Sequence, residues 1–336
     1  MRRSHAITRA CKLAEALEAR GDHRGAIDEL TKVNRHARSD VVDRRLIELR
    51  SSAITHLDDS ARSESWPPPI EDVFANTVGI PEIAARELSV TALRAGILGH
   101  GCLLVRGLVD AATVRSLVES IDHAFTGYDA SAKTTTAVPP LAQRTFVRDA
   151  GGVLAVDSPP AFYEIVEAFE GVGLGALIAE YFGEQPVILA RKLTMRRVST
   201  RERPHPDWDP VRGPDWHQDG AFMGVDVRSV DVWLSLSDCG QDAPGLDVVP
   251  RRFDEIATTG TDGAHFDWSV GHGMVERVAG NNVVRPVFAP GDALIFDHLL
   301  LHRTAIEPSM TKDRYAIEAW FAAPSSYPHD QIPIAY

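Results

Sequence analysis

The sequence predicts an α+β fold in which helices fill the N-terminal half and short strands fill the C-terminal half. Apolar residues recur at three- and four-residue spacings from residue 4 to about residue 57 and again from 160 to 182, which is the helical period. From Pro186 onward the pattern changes to alternation, the period of a half-buried strand. Short strands that follow a helical half are typical of a double-stranded β-helix, the jelly-roll or cupin architecture, here with flanking helices.

Composition and charge exclude several classes of protein. The 336 residues are 44% hydrophobic and 24% charged, which is ordinary for a globular chain of one large domain and a small appendage. The net charge of −12 argues against binding to nucleic acid or to an anionic membrane, since either needs a basic face. The three cysteines are odd in number and lack CxxC spacing, so we expect no disulfide framework and a reducing cytoplasm. No apolar run has transmembrane length, and no signal peptide is expected.

Residues 1–60 are predicted to form a helical appendage. Gly21-Asp22 separates two helices, and a third is indicated from about Val41. The pattern from Ala14 to Leu30 resembles one tetratricopeptide-type hairpin, which alone lacks the stacked neighbours that complete its core. We therefore expect it to pack on the main domain, and the alternative is a docking module for a protein or carrier partner. A polar, proline-rich linker, 61–80, then leads to the main domain, 81–336.

The region between the appendage and the strands is expected to alternate helices with one strand. Pro81 is placed to open a helix, and Ser89 to cap a second helix that ends near Gly99. A strand follows at 102–108, and Asp110 caps the helix after it. We expect 127–158 to be irregular, 160–182 to be one helix, and 251–285 to be a long loop; the two irregular stretches are candidates to cover a site.

Three side chains in the strand-rich half have the types and spacing of a metal site. His217 and Asp219 are two residues apart, so in an extended segment both side chains point to one face. A Pro-Gly-Asp turn at 290–292 leads an apolar strand to His302. Two histidines and one carboxylate make the facial triad that binds Fe(II) and leaves positions open for co-substrate and oxygen. His298 has the same strand parity as His302, so parity cannot decide between them.

An arginine downstream of these residues has the charge and shape to bind a dicarboxylate ligand. Arg314 opens an apolar strand twelve residues after His302. A guanidinium can pair a carboxylate through two parallel hydrogen bonds, which fits the distal carboxylate of a 2-oxo diacid. The plain alternative is a charge on the outer face of the strand.

From about Gly96 to Phe321 the sequence resembles the phytanoyl-CoA dioxygenase family of Fe(II)/2-oxoglutarate-dependent oxygenases. The matching features are Trp216-His-Gln-Asp219, Trp233, Gly245-Leu-Asp-Val-Val-Pro250, the turn at Pro290, His302 and Arg314. The resemblance implies that His217, Asp219 and His302 bind the metal and carry catalysis. It favours His302 over His298, because the family places this ligand just before a small polar residue, as in His302-Arg303-Thr304.

The resemblance also implies a set of residues for 2-oxoglutarate. Arg314 would clamp the distal carboxylate, with Thr304 as the hydroxyl partner, because Ala316 stands where many relatives have Ser or Thr. Trp233 is expected either to wall this pocket or to belong to the core. Lys192 and Thr194 are expected to reach the cofactor from the first strand of the barrel.

The activity that the resemblance implies is oxidation of a small molecule with Fe(II), 2-oxoglutarate and O2, giving succinate and CO2. Asp219 favours hydroxylation of a C–H bond, because related halogenases have a small residue at this position. Two alternatives stay open: a cupin-fold metalloenzyme that does not use 2-oxoglutarate, and a degenerate oxygenase domain that serves as a binding module. The identity of the substrate and the oligomeric state are not readable from the sequence.

Overall fold

The computed structural model describes residues 2–56, 66–134, 142–199, 215–280, 282–328 and 330–336. The start of the predicted linker, 61–65, and the middle of the stretch expected to be irregular, 135–141, lie outside the described residues. None of the helices in the described part of the chain has the length and apolar character needed to cross a membrane.

Three helices form the N-terminal part, as predicted. They are α1 (Arg2–Glu18), α2 (His23–His36) and α3 (Asp40–Ser52), and a 3-10 turn follows at Ala53–His56. The break at Gly21-Asp22 is confirmed: Gly21 has φ +81°, and the Asp22 carboxylate caps α2 by accepting from the Gly25 N–H at 2.9 Å. One apolar cluster joins the three helices to Tyr163 of the main domain, and it contains Ala10, Ala14, Ala26, Leu30, Val42, Leu46 and Leu49.

The helices of the main domain are capped where the sequence indicates. They are α4 (Val90–Arg94), which continues in a π-helical turn at Ala95–Gly99, α5 (Ala111–Thr134), α6 (Ala142–Asp149), α7 (Pro159–Gly171) and α8 (Leu174–Phe182). The Ser89 hydroxyl accepts from the Ala92 N–H at 3.2 Å, and the Asp110 carboxylate accepts from the Thr113 N–H at 2.8 Å. Each bond satisfies a backbone donor that the first helical turn leaves open.

Three of the local predictions for residues 81–182 are wrong. No helix opens at Pro81, because β1 (Glu82–Ala84) instead pairs in parallel with β2 (Cys102–Arg106). The stretch 127–158 is not irregular in its described part, since α5 reaches Thr134 and α6 and β3 (Gly152–Leu154) follow. The predicted helix 160–182 is two helices, because Gly173 has φ +72° and ends the helical path between them.

Seven strands, together with β3, form the larger of two sheets. The further strands of this sheet are β4 (Val187–Val198), β5 (Ser229–Ser235), β7 (Ala293–Phe296), β9 (Arg314–Ala322) and β10 (Pro333–Ala335). The strand β6 (Gly245–Val248) lies between β5 and β7 in the chain and belongs to the second sheet. The order across this sheet is β1-β2-β7-β5-β9-β4-β10, with β3 beside β4. Every pair except β1 with β2 is antiparallel, which is the arrangement predicted from the short alternating strands.

The second sheet is small and faces the first. It contains β6 paired with β8 (His302–Ala305), and it is extended by single bridges from His217 to His302 and from Val284 to Val248. Two facing sheets of mainly antiparallel strands confirm the predicted double-stranded β-helix. The stretch 251–285 is not wholly a loop, because it contains α10 (His272–Ala279), and a short helix α9 (Gly220–Met223) follows Asp219.

The larger sheet has one apolar face and one mixed face. Its outer face packs on α5, α7 and α8 through a single core that includes Leu103, Val105, Ile188, Leu193, Met195, Val232, Ile295, Ile317 and Phe321. The inner face points at the small sheet. Trp233 of β5 is directly opposite Glu318 of β9, and cross-strand neighbours share a face, so both lie inside the barrel.

The N-terminal helices pack on α7 and β10. Arg38 bonds the Glu164 carboxylate at 2.9 Å and the Pro160 carbonyl at 2.7 Å. The buried Arg50 donates to the Ala335 carbonyl at 3.0 Å. These contacts attach the helices to the outside of the barrel, and the division of the chain at residues 60 and 80 stays a prediction.

Candidate active site

The three predicted ligand residues lie together at the edge of the small sheet. His217 and His302 are directly opposite each other and exchange two backbone hydrogen bonds, of 2.9 and 3.0 Å. Asp219 places Oδ2 3.7 Å from Nε2 of His302. One ligand atom of each residue lies within 4.8 Å of the other two, and within the described ranges this is the one group of three His, Cys, Asp or Glu that does so.

Both histidines direct Nε2 into the cluster. Nδ1 of His217 lies 3.2 Å from the Asp215 carbonyl, and Nδ1 of His302 lies 3.0 Å from the Leu300 carbonyl. A carbonyl only accepts, so each Nδ1 carries the proton and each Nε2 keeps its lone pair for a metal. Burial and the neighbouring His302 together lower the pKa of His217 to about 4, so the imidazole is neutral at pH 7.

Asp219 is ionised because its neighbours outweigh its burial. Burial raises the pKa of this carboxyl, but Lys192 and the two histidines together bring it below the usual value. The Lys192 ammonium donates to Asp219 Oδ1 at 3.1 Å. It also lies 3.8 Å from the centre of the Phe222 ring. Lys192 therefore contacts a predicted metal ligand. Its contact with the cofactor stays a prediction.

The residues between the ligands hold a different part of the chain. Gln218 is fully buried and donates to the carbonyls of Leu299, at 2.7 Å, and Glu255, at 3.2 Å. Its amide oxygen accepts from the Ala257 N–H at 2.7 Å. Trp216 forms a bridge with Val270. Consequently 217 and 219 face the cluster, whereas 216 and 218 hold the 255–270 segment against its other side.

His298 does not belong to the cluster. Its Nδ1 lies 2.9 Å from the Ser229 hydroxyl, and its Nε2 lies 3.2 Å from the Val225 carbonyl, so both ring nitrogens have protein partners. The parity argument that left His298 and His302 equal does not apply, because β7 ends at Phe296 and β8 begins at His302. The residues between them form a turn.

Arg314 is buried without a counter-ion. It is 2% exposed, and one guanidinium nitrogen donates to the Gly245 carbonyl at 3.1 Å. Among the described residues its Nε has no hydrogen-bond partner, and neither has the buried indole Nε1 of Trp233, whose ring centre lies 5.6 Å from the guanidinium carbon. Burial lowers the pKa of Arg314 to about 10, which leaves it charged at pH 7. No carboxylate of the described residues forms an ion pair with it, so the donors present fit an anionic ligand.

The other two predicted cofactor residues are placed on the inner side of the barrel. Thr304 follows His302 by two residues on β8 and therefore shares its face. Thr194 is 4% exposed and stands opposite Glu318 in the pairing of β4 with β9. Both positions agree with the expected face, and their contact with a cofactor stays a prediction.

Sequence reasoning missed a buried acidic group on the same inner face. Asp231 precedes Trp233 by two residues on β5, is 2% exposed, and has no partner for Oδ1. Burial raises its pKa well above the usual value, and the charges of Glu318 and Asp219 raise it further. Glu318, by contrast, is paired with Arg196 at 2.8 and 3.0 Å. The alternation that placed Trp233 would have placed Asp231 as well.

The fold and this cluster define a class of protein, the non-haem iron oxygenases of the 2-oxoglutarate-dependent superfamily. Within that class the sequence model of one family, phytanoyl-CoA dioxygenase (PhyH), matches residues 98–309. The chain belongs to the phytanoyl-CoA dioxygenase family, and the identification made from sequence motifs is confirmed.

The solved structures that match this chain are distant in sequence, and their TM-scores are below 0.5. The epimerase SnoN from nogalamycin biosynthesis is 15% identical over 69% of this chain and 81% of that chain, with a TM-score of 0.40. EvdO2 from Micromonospora carbonacea var. aurantiaca, solved with 2-oxoglutarate, is 13% identical over 73% and 91%, with a TM-score of 0.45. The carbocyclase SnoK is 13% identical over 72% and 86%, with a TM-score of 0.47. A comparison with curated proteins found no match.

Proposed function

We propose that this chain uses Fe(II), 2-oxoglutarate and O2 to hydroxylate, or otherwise oxidise, an unactivated C–H bond of a small molecule, with succinate and CO2 as co-products. Family membership supports the class. The observation that carries the use of 2-oxoglutarate is Arg314, a buried charged group with an unpaired Nε beside the unpaired indole of Trp233. A buried charge without a partner is costly, and a carboxylate ligand removes that cost.

The residues of this chain would divide the work between holding iron and holding co-substrate. His217, Asp219 and His302 would bind the iron, which when bound supplies the oxidising chemistry. The hydrogen bonds from the two Nδ1 atoms fix the ring orientations, and Lys192 holds Asp219 Oδ1 so that Oδ2 faces the histidines. Arg314, with Trp233 near it and with Thr304 on the same face of β8 as His302, would fix the distal carboxylate and so orient the 2-oxo acid.

Two features weigh against the alternatives. A cupin-fold metalloenzyme without 2-oxoglutarate would have no use for a buried, unpaired Arg314. A degenerate binding module would have no need of His217, Asp219 and His302 with their ligand atoms within 4.8 Å of one another. The carboxylate at Asp219 supports hydroxylation. A cytoplasmic location and a docking role for the N-terminal helices stay predictions.

The test is anaerobic reconstitution of the full chain with Fe(II) and 2-oxoglutarate, read from the metal-to-ligand absorption band. We expect one iron and one 2-oxoglutarate per chain. After oxygen is admitted, a screen of metabolite extracts should identify a substrate that increases succinate release, and product analysis should show added hydroxyl. Iron binding with no absorption band on addition of 2-oxoglutarate would overturn the proposal.

A further inference from the structure

Three aromatic side chains form a wall beside the metal cluster, namely Phe222, Phe266 and Trp268. The Trp268 ring stands perpendicular to the His217 ring, at 89°, with ring centres 5.7 Å apart. It is also perpendicular to Phe222, at 88° and 5.7 Å, and parallel to Phe266, at 5° and 4.9 Å. All three side chains are partly exposed. A molecule that lies on this wall is therefore next to a ligand histidine.

The wall is fixed relative to the metal cluster by the residues that flank the ligands. The Asp215 carboxylate accepts from the Ser269 hydroxyl at 2.6 Å and from the His265 N–H. The Ser269 hydroxyl in turn accepts from the Phe266 N–H at 3.1 Å. Together with the Gln218 and Trp216 contacts, these bonds attach both ends of the 255–270 segment to residues 215–218. Rigid support of this kind is what a binding surface next to a reactive centre requires.

The charges around the wall disfavour a charged ligand. The Lys192 ammonium already occupies a cation–π position 3.8 Å from the centre of Phe222, so a second cation there would be repelled. The positive charge of Lys192 is itself paired with Asp219, at 3.1 Å, so it offers little to an anion. A neutral ring, however, gains both apolar contact and the edge-to-face or offset-stacked geometry that aromatic groups prefer.

We propose that the wall of Phe222, Phe266 and Trp268 binds a flat, uncharged, hydrophobic ring of the substrate and presents it to the metal. The inference rests on the proposed function for the reaction that follows, but the binding of the ring requires only the wall. The parallel rings of Phe266 and Trp268 stand at a right angle to the Phe222 ring, so a flat substrate ring can stack on one of these rings and meet another edge-to-face. A saturated, puckered ring or an alkyl chain fits neither geometry, so planarity is the property that distinguishes this substrate class.

The experiment compares 2-naphthol with its fully saturated counterpart, decahydro-2-naphthol, as probes of the full-length chain. Calorimetry measures both affinities under anaerobic conditions, first without metal and then with Fe(II) and 2-oxoglutarate. We expect the flat probe to bind about tenfold more tightly than the saturated one, the size of effect that aromatic contacts provide. Trp268→Leu should remove most of this preference, and Trp268→Phe should retain much of it.

The matched control is Phe146→Leu, because Phe146 is an aromatic on α6 that is 47% exposed and lies outside the wall. Its affinities should equal those of the wild type. Should Trp268→Leu fail to fold by circular dichroism, Phe222→Leu takes its place with the same expected loss. Equal binding of the two probes, or an unchanged preference in the folded wall variant, overturns the inference. Loss of the iron–2-oxoglutarate absorption band with ring preference intact would instead contradict the proposed function alone.

Discussion

Two regions of this molecule contain buried polar groups, and they differ in whether the buried charged groups have all their hydrogen-bond partners within the protein. At the interface of the N-terminal helices with the barrel, Asn34 bonds the buried Asp43 at 2.6 Å, and Arg50 bonds a backbone carbonyl. The atoms left unpaired there, the hydroxyls of Tyr163 and Tyr336, are neutral. Inside the barrel, the unpaired atoms belong to Arg314, Trp233 and Asp231, and two of these side chains are ionisable.

This difference distinguishes a structural interface from a binding site. A buried donor or acceptor without a partner costs roughly 1–3 kcal/mol, and more if the group is charged. At the structural interface the charged side chains named above therefore have partners within the protein, and the unpaired groups named there are neutral hydroxyls. A site that receives a ligand leaves its polar groups open, because the ligand provides the partners.

The largest expected effect is on the metal. His302→Ala should weaken Fe(II) binding more than about 100-fold, since even the loss of a residue that only supports a metal ligand costs 10–100-fold. Isothermal titration under nitrogen gives the affinity, and circular dichroism checks the fold. His298→Ala is the matched control and should keep its iron, because both ring nitrogens of His298 bond protein groups. If His302→Ala kept its iron and His298→Ala lost it, the third ligand would be His298 and not His302.

The next effect concerns the unpaired guanidinium. Arg314→Leu should weaken 2-oxoglutarate binding by about 2–5 kcal/mol, the range for truncating one partner of a buried charge pair. Iron binding should change little, because Arg314 does not contact the cluster. Titration of the absorption band at constant iron measures both. Arg303→Leu, which removes an arginine paired with Asp247 on the other face of β8, serves as the control. Equal 2-oxoglutarate affinity in Arg314→Leu and the wild type would exclude Arg314 as the clamp.

A smaller effect on binding is expected from the other region. A chain that begins near Ser65 lacks α1 to α3, and it should still bind Fe(II) and 2-oxoglutarate, because those helices contribute no ligand atom to the cluster. Its stability and solubility should fall, since truncation uncovers Tyr163 and the apolar surface around it. Thermal unfolding and the anaerobic titration together test both statements. A folded truncated chain that binds iron but not 2-oxoglutarate would break the contrast between the two regions.

The smallest effect is a change in the pH dependence of stability. The pKa of Asp231 is raised in the folded protein, so the folded state holds this proton more tightly than the unfolded state does. Wild-type stability therefore decreases as pH rises above the unfolded pKa of about 3.9. Asp231→Asn cannot ionise, so its stability relative to the wild type should increase from acid to neutral pH and show no advantage below that pKa. Urea unfolding across this range gives the difference, and a constant difference would show that the pKa of Asp231 is not raised in the folded protein.

The sequence was sufficient to predict the fold class and the ligand spacing, because both follow from periodicity and from residue types. Arg314 opens β9 as predicted, and His217, Asp219 and His302 come together, although Asp219 lies in a turn, with φ −61° and ψ −24°, rather than in the expected extended segment. The contact of Lys192 with Asp219 could not be predicted from the sequence, because the register of β4 against β9 shifts between Ile188 and Leu193. Periodicity gives the faces of a regular strand and carries no information on an irregularity in its pairing.

Two further elements, α10 and β1, were not predicted because they depend on contacts between segments that are distant in the sequence. The helix α10 begins after Gly271, where an added Cβ would come within 2.2 Å of the Thr261 carbonyl oxygen, so its position depends on a neighbouring turn rather than on its own pattern. The strand β1 is only three residues long and exists because β2 offers it a parallel edge. Local patterns do not encode such pairings.

The alternation of Trp216, His217, Gln218 and Asp219 has a consequence for how this enzyme can diverge. In the short segment 216–219, the predicted iron ligands His217 and Asp219 face one side, and Trp216 and Gln218 anchor the 255–270 segment on the other. Order in that segment and affinity for iron are therefore thermodynamically linked, and each should strengthen the other. Side-chain substitutions at Phe266 or Trp268 can change the substrate that is bound and leave the anchoring hydrogen bonds in place. Substitutions at the anchor points are expected to lower the affinity for iron as well, so a new specificity is more easily reached through Phe266 and Trp268.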